Sequence, residues 1–229
     1  MNLRTYLQQN HNKLTWTERI QIINDITKAL SRIHKENTIH RDLHSGNVLF
    51  NQLNQKFSIS DLGFCGPADK SLNSVYGNLS YIAPEVIIGK ETTFASDVYS
   101  IGMLMWEVSS GQPPFINYEH DYDLAMKIVN GMRPKILPET PLEYSKLMKQ
   151  CWDSDLTKRP IINTLWRRIS ELTRLYHLQN ENKRQTIPNQ SNSIIEDNSN
   201  ISMSKNYTSK IYKFENLPEP KNATEGNYI

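Results

Sequence analysis

The sequence has few of the features that mark secreted or membrane proteins. Only two cysteines, Cys65 and Cys151, occur in 229 residues, and residues 1–5 lack the apolar core of a signal peptide. No apolar run approaches the roughly 20 residues that are needed to cross a bilayer. We therefore expect a soluble, cytoplasmic chain in a reducing compartment.

An excess of charge of one sign is also absent. The formal net charge is +2, and acidic and basic residues are interspersed along the chain. Binding to nucleic acid or to an anionic membrane requires a basic face, which this pattern does not provide. We therefore predict neither as a partner. The hydrophobic content of 38% suffices for one globular domain with a sizeable core.

A polar loop at residues 39–47 carries the first chemically suggestive pattern. It reads Ile-His-Arg-Asp-Leu-His-Ser-Gly-Asn, in which Asp42 and Asn47 have the spacing D-x-x-x-x-N. Two short runs follow, at 48–50 and 57–60, with turn-forming residues between them, which predicts a β-hairpin.

A hairpin returns its two ends to neighbouring positions, so Asn47 should lie near Asp61. One amide oxygen and one carboxylate then converge. Magnesium is bound in proteins by a few such oxygens together with water and substrate phosphates. The pattern therefore indicates a magnesium site at the open end of the hairpin.

Four motifs in order resemble those of protein kinases. The loop matches H-R-D-L-x-x-x-N, Asp61-Leu62-Gly63 resembles D-F-G, residues 83–85 read Ala-Pro-Glu, and Lys158-Arg159-Pro160 matches the last block of the pattern. Over roughly residues 1–178 the chain is identified as a member of the eukaryotic protein kinase family, and it is most similar to the tyrosine-kinase-like group.

The resemblance implies roles for four site residues. Asp42 would accept the proton of the substrate hydroxyl, while Asn47 and Asp61 would bind Mg²⁺ and, through it, ATP. His44 stands where serine/threonine kinases usually carry a lysine near the transferred phosphate. A mostly neutral histidine replaces that charge only partly. The Tyr-Ile-Ala-Pro-Glu sequence at 81–85 favours serine/threonine over tyrosine specificity.

The resemblance also implies a fold that is mainly α with a small β-hairpin, as in the C-terminal lobe of a kinase. Arg159 would pair with Glu85. Asp97 would bind backbone amides of the loop, although a plain helix N-cap fits the sequence nearly as well. Apolar spacing predicts helices at 15–36, from about 96 to Gly111, and at about 121–130, 141–151 and 160–176.

The kinase pattern is incomplete at its beginning. The sequence contains no G-x-G and no V-A-I-K, which are the phosphate-covering loop and the lysine strand of a kinase. The resemblance therefore implies a partial domain whose N-terminal β lobe is missing, with a partner able to cover the exposed face. Two functions stay open. One is phosphoryl transfer from ATP to serine or threonine hydroxyls of a protein substrate, and the other is a catalytically inactive kinase-fold binding module or truncated paralogue.

Two further stretches suggest regulation or disorder. Between the D-L-G and A-P-E motifs, Ser71, Ser74 and Tyr76 are candidate phosphorylation sites whose phosphate would meet Arg41. From residue 179 the composition becomes rich in Asn, Ser, Gln and Lys, which predicts a disordered polar tail over 179–229. The apolar residues at 211–214 could dock on the domain or on a partner, but a solvated tail is the favoured interpretation.

Overall fold

Helices dominate the structure, a computed structural model that describes residues 1–67, 75–186 and 208–229. The helices are α1 (Leu3–Asn10), α2 (Trp16–Lys35), α3 (Pro84–Ile87), α4 (Phe94–Ser110), α5 (Tyr122–Val129), α6 (Leu142–Cys151) and α7 (Ile162–Thr186). The strands are β1 (Thr38–Ile39), β2 (Val48–Asn51), β3 (Lys56–Ile59), β4 (Gly66–Pro67), β5 (Val75–Gly77) and β6 (Lys210–Tyr212). The prediction of a mainly helical fold is confirmed.

Helix α2 forms for the reason that its sequence indicates. Thr15 and Glu18 make a complete capping box, in which each side chain satisfies a backbone N–H that the helix start leaves open. Ile23 and Leu30 in the middle of the apolar stripe are fully buried, and α2 packs against α7, α4 and β3. This packing fixes the end of α2 from which the chain enters the polar loop.

Helix α4 is buried on nearly all sides, as its continuous apolar sequence predicts. Its start differs from our prediction. Thr93, rather than Ser96 or Asp97, is the N-cap, and it forms a capping box with Ser96. The Asp97 carboxylate does not cap this helix start and makes its contacts with another element instead. Gly111, in the left-handed conformation with φ 74°, ends the helix as predicted.

The predicted hairpin is present as β2 and β3, which pair antiparallel with Val48 opposite Ile59. Two more two-stranded antiparallel sheets, β1 with β4 and β5 with β6, are found in the described part of the chain. The sequence did not indicate them, because their strands are only two or three residues long and show no alternation.

The described parts of the predicted disordered tail, residues 179–186 and 208–229, have defined structure. Helix α7 continues to Thr186, since no proline or glycine interrupts it before Pro188. Residues 208–229 lie on the domain. There β6 extends the edge of β5, and the backbone of Tyr228 bridges to Arg133. Backbone pairing at a strand edge does not require an apolar segment, so composition alone underestimates this order. Residues 187–207 lie outside the described residues.

In the part of the chain that the structure describes, no helix is both long and apolar enough to cross a bilayer.

Candidate active site

Asp97 of α4 binds the backbone of the polar loop at residues 39–47. The Asp97 carboxylate accepts hydrogen bonds from the backbone N–H groups of His40, at 2.8 Å, and Arg41, at 3.0 Å. Arg41 has a left-handed backbone with φ 72°, a conformation that costs energy for a side-chain-bearing residue. The loop-binding role implied for Asp97 is confirmed, and the interpretation as a plain N-cap is wrong.

His40 connects the loop to the hairpin, a role that sequence reasoning did not assign. Its Nε2 lies 3.1 Å from the carbonyl oxygen of Ser60, and its Nδ1 accepts a bond of 3.3 Å from the backbone N–H of Asp42. The ring is fully buried. His40 therefore orients the backbone of Asp42 relative to the end of strand β3.

Asp42 is buried with 4% of its surface exposed. Burial by itself would raise the pKa of this carboxyl, but hydrogen bonds from His44 and Ser209 and the nearby His44 and His40 rings outweigh burial and lower the pKa below its usual value. The carboxylate is therefore ionised at neutral pH. An ionised, oriented carboxylate is the state in which it can accept a proton.

His44 lies beside Asp42 with its ring orientation set by the loop. Its Nδ1 accepts a hydrogen bond of 3.0 Å from the backbone N–H of Gly46. The proton of the neutral ring must then be on Nε2, which faces Asp42 Oδ2 at 3.7 Å. His44 thus directs an N–H donor toward the space in front of the Asp42 carboxylate.

Asn47 and Asp61 lie at the open end of the hairpin. The backbone N–H of Ser60 donates to the carbonyl of Asn47 at 2.8 Å, so the residue after Ser60 comes close to Asn47. Asn47 Nδ2 donates to the carbonyl of Asp42 at 3.0 Å, which leaves Oδ1 available as a ligand atom. Asp61 is exposed, and within the described residues its carboxylate has no hydrogen-bond or ion-pair partner.

These donors fit magnesium, which takes hard oxygen ligands and keeps several waters or phosphate oxygens. One amide oxygen and one free carboxylate supply two such ligands. The described residues contain no group of three or more His, Cys, Asp or Glu side chains able to hold a metal by themselves. A magnesium ion here would therefore depend on substrate phosphates for its remaining ligands.

Two residues that the sequence did not single out complete the surroundings of Asp42. Ser209 Oγ lies 2.8 Å from Asp42 Oδ1 and 2.7 Å from Oδ2. Gly77 has a backbone φ of 136°, and a Cβ there would meet Asp42 Oδ1 at 3.2 Å. Glycine is therefore needed at residue 77. No pattern could reveal Ser209, which is 167 residues away from Asp42 in the chain.

The candidate phosphorylation sites are only partly visible. Ser71 and Ser74 lie outside the described residues. Tyr76 stacks on Phe64 with ring centroids 4.0 Å apart, and the Arg41 guanidinium donates to the Phe64 carbonyl at 3.3 Å. Phosphate-dependent ordering of this loop through Arg41 stays a prediction.

The implied pair of Arg159 and Glu85 is confirmed. Two parallel hydrogen bonds of 2.8 and 2.9 Å join the guanidinium to the carboxylate. The pair links the Ala-Pro-Glu motif to the segment before α7. Its role is to hold the framework of the site.

Comparison with known proteins identifies the family. Residues 1–169 match the family described as protein tyrosine and serine/threonine kinase, so the chain belongs to this family. The residues that carried the resemblance, from the His-Arg-Asp loop to Arg159, all lie within the matched region.

Several relatives carry kinase names. A protein of Acanthamoeba polyphaga mimivirus named as a serine/threonine-protein kinase/receptor is 34% identical over 165 residues, which cover 71% of this chain and 10% of the relative. The human dual serine/threonine and tyrosine protein kinase is 35% identical over 153 residues, covering 65% and 16%. Its Apis mellifera counterpart is 33% identical over 162 residues, covering 66% and 16%. The chain thus spans between a tenth and about a sixth of the length of these relatives.

Proposed function

We propose that this chain supplies the C-terminal lobe of a protein kinase that transfers the γ-phosphoryl group of ATP to serine or threonine hydroxyls of a protein substrate. The observation that carries the proposal is the ionised Asp42 carboxylate, which accepts a hydrogen bond from a serine hydroxyl at 2.7 Å. A general base must lie within this distance of the proton that it removes. The contact supports an aliphatic hydroxyl as the acceptor.

Each site residue then has a chemical task. Asp42 takes the proton from the acceptor hydroxyl as that oxygen attacks phosphorus. The Nε2–H of His44 donates a hydrogen bond in front of Asp42 and partly replaces a lysine charge. Asn47 and Asp61 would hold magnesium, which neutralises charge on the phosphates when it is bound. His40 and Asp97 keep the loop in the geometry that these tasks require.

The rest of the nucleotide site belongs, in this proposal, to an N-terminal β lobe or to a partner that covers the same face. Exposed apolar side chains near Asp61 support this assignment, since Leu62 is 56% and Phe64 38% exposed. We place the protein inside the cell, where ATP and a protein substrate are available.

The alternative function is a catalytically inactive kinase-fold binding module or truncated paralogue. The specific observation in its favour is that His44 stands where serine/threonine kinases usually carry a lysine near the transferred phosphate. Under this alternative Asp42 would contribute to folding or to peptide binding, and its replacement would leave no transfer activity to lose.

Asp42→Asn tests the proposal in a longer form of the protein that includes an N-terminal lobe. Loss of the base should lower phosphoryl transfer about 10²-fold to 10⁴-fold, while the melting temperature stays near that of the parent. Transfer of radiolabelled phosphate to a serine-containing protein and thermal melting are the two measurements. Asp123→Asn is the matched control, because Asp123 is exposed on α5. Activity of Asp42→Asn within a few-fold of the parent would remove Asp42 from its assigned role.

A further inference from the structure

The segment 208–214, called here the docked segment, lies against the candidate active site. Its strand β6 pairs antiparallel with β5, placing Lys210 opposite Gly77 and Tyr212 opposite Val75. Strand β5 belongs to the stretch between the D-L-G and A-P-E motifs. The docked segment therefore passes along the edge of the site as an extended peptide, held by backbone hydrogen bonds.

The residue just before β6 enters the site itself. The Ser209 hydroxyl can donate to either oxygen of the Asp42 carboxylate, at 2.8 and 2.7 Å, and its oxygen lies 3.2 Å from His44 Nε2. Because the neutral His44 ring carries its proton on Nε2, Ser209 Oγ donates to the carboxylate and accepts from the imidazole. A hydroxyl about to be phosphorylated would need this arrangement around its oxygen.

The side chains of the docked segment contact the domain unevenly. Lys210 and Ile211 point outward, and Ile211 is 65% exposed. Tyr212, three residues after Ser209, is only 8% exposed and packs in the hydrophobic core. Its ring stacks on Phe214 of the same segment, and the partly buried Phe214 meets Tyr122 of α5 with ring centroids 6.3 Å apart. Ser209 and Tyr212, with Phe214 beside Tyr212, thus provide the main side-chain contacts.

We propose that the docked segment occupies the groove in which a protein substrate binds, with Ser209 in the acceptor position, and that this groove takes extended peptides with the pattern Ser-x-x-aromatic. The inference rests on the proposed function for the statement that the groove is a substrate site. It adds that the docked segment of this chain occupies that site and that the substrate carries an aromatic residue three positions after the serine.

The sequence preference of the groove follows from which parts of the docked segment contact the domain. Backbone pairing with β5 accepts many sequences, because it uses main-chain groups only. The two exposed positions after the serine contribute little discrimination. Burial of an aromatic side chain three residues after the serine contributes most of the affinity that depends on sequence.

The docked segment also controls whether other peptides can enter the groove. A segment attached to the same chain competes at an effective concentration on the order of millimolar, so a separate peptide binds only when the segment leaves. Phosphate on Ser209 would bring a second anion against the Asp42 carboxylate, and repulsion would expel the segment.

The test uses residues 1–229 without nucleotide and a fluorescent peptide with the sequence of residues 208–215. Tyr212→Ala should release the docked segment, whereas Ile211→Ala, on the same strand but exposed, is the matched control. We expect fluorescence anisotropy to show at least tenfold tighter peptide binding to Tyr212→Ala than to the parent or the control. The same peptide with phosphoserine in place of serine should not bind.

Hydrogen exchange gives a second readout that needs no added peptide. Backbone amides of β5 should exchange faster in Tyr212→Ala and in Ser209→Glu, which places a charge beside Asp42 and leaves the aromatic contacts in place. Equal exchange in parent and both variants, or equal peptide affinity for parent and Tyr212→Ala, would overturn the inference. Neither readout involves phosphoryl transfer. If both readouts behave as expected but the longer form that includes an N-terminal lobe transfers no phosphate, the proposed function alone is contradicted.

Discussion

At the scale of single residues, Arg159 and Glu85 show how a charged side chain can be buried without being left unpaired. Their side chains are 0% and 4% exposed. Ser96 Oγ donates a further bond of 3.0 Å to Glu85, and Arg159 also donates to the carbonyl oxygens of Ala95 and Asp153. Every buried polar atom of the pair therefore has a partner, which is the condition under which such a pair is tolerated.

Replacing one member should be costly, since the other charge is then left buried. We expect Glu85→Gln to lower the free energy of unfolding by about 3–5 kcal/mol, measured by urea denaturation. Glu143→Gln is the matched control, because Glu143 pairs with Lys146 at the surface, where the side chains are 56% and 53% exposed. Its effect should stay below about 1 kcal/mol. Equal destabilisation by the two variants would contradict the structural role of Arg159 and Glu85.

At the scale of elements, helix α4 packs so closely on α6 that a glycine is required between them. A Cβ at Gly102 would lie 2.9 Å from Cys151 Cβ and 3.3 Å from the Met148 carbonyl oxygen. One of these neighbours is backbone, so it cannot turn aside. The close approach keeps α4 in place, and with it Asp97 and the loop that Asp97 holds.

Gly102→Ala should therefore destabilise the protein although alanine favours helices. Overpacking costs about 1–3 kcal/mol and offsets a propensity gain of about 1 kcal/mol, so we expect a net loss of up to about 2 kcal/mol in denaturant unfolding. The control is Gly226→Ala, since no atom lies within 4 Å of a Cβ at that site. A stabilised Gly102→Ala variant would show that the helices have room to separate.

At the scale of the whole molecule, the proposed function gives this chain one side of a nucleotide site. In that proposal Asn47 and Asp61 offer magnesium two oxygens, but the sequence has no G-x-G and no V-A-I-K to hold the phosphates. Magnesium is dehydrated reluctantly and binds well only when its phosphates are well held.

Residues 1–229 alone should accordingly bind Mg-ATP weakly and transfer no measurable phosphate. Calorimetric titration with Mg-ATP and a transfer assay on a generic protein substrate are the measurements, with Asp61→Asn as the variant that removes the one carboxylate assigned to magnesium. Micromolar affinity that is lost in Asp61→Asn would mean that this chain forms a complete nucleotide site without further residues.

Much of this protein was predictable because the determining interactions are local. Capping boxes and turn residues act within three or four positions of each other, and apolar periodicity along one segment is enough to indicate a helix. The starts of α2 and of the hairpin were therefore predicted within a residue or two. The family motifs placed Asp42, Asn47 and Asp61 in one candidate site for the same reason, since a short loop and a hairpin connect them.

Only the tertiary structure decided which residues that are far apart in the sequence come into contact. From the sequence, Asp97 could cap its own helix or bind the loop. The folded structure decides it, because α4 begins after Thr93 and the Asp97 carboxylate faces the backbone N–H groups of His40 and Arg41. Ser209 reaches Asp42 because β5 presents a strand edge that exists only after the domain has folded. Pairing at such an edge depends on backbone groups, which every sequence contains. The amino-acid pattern therefore indicated residues 211–214 only as a possible docking segment and did not indicate that Ser209 meets Asp42.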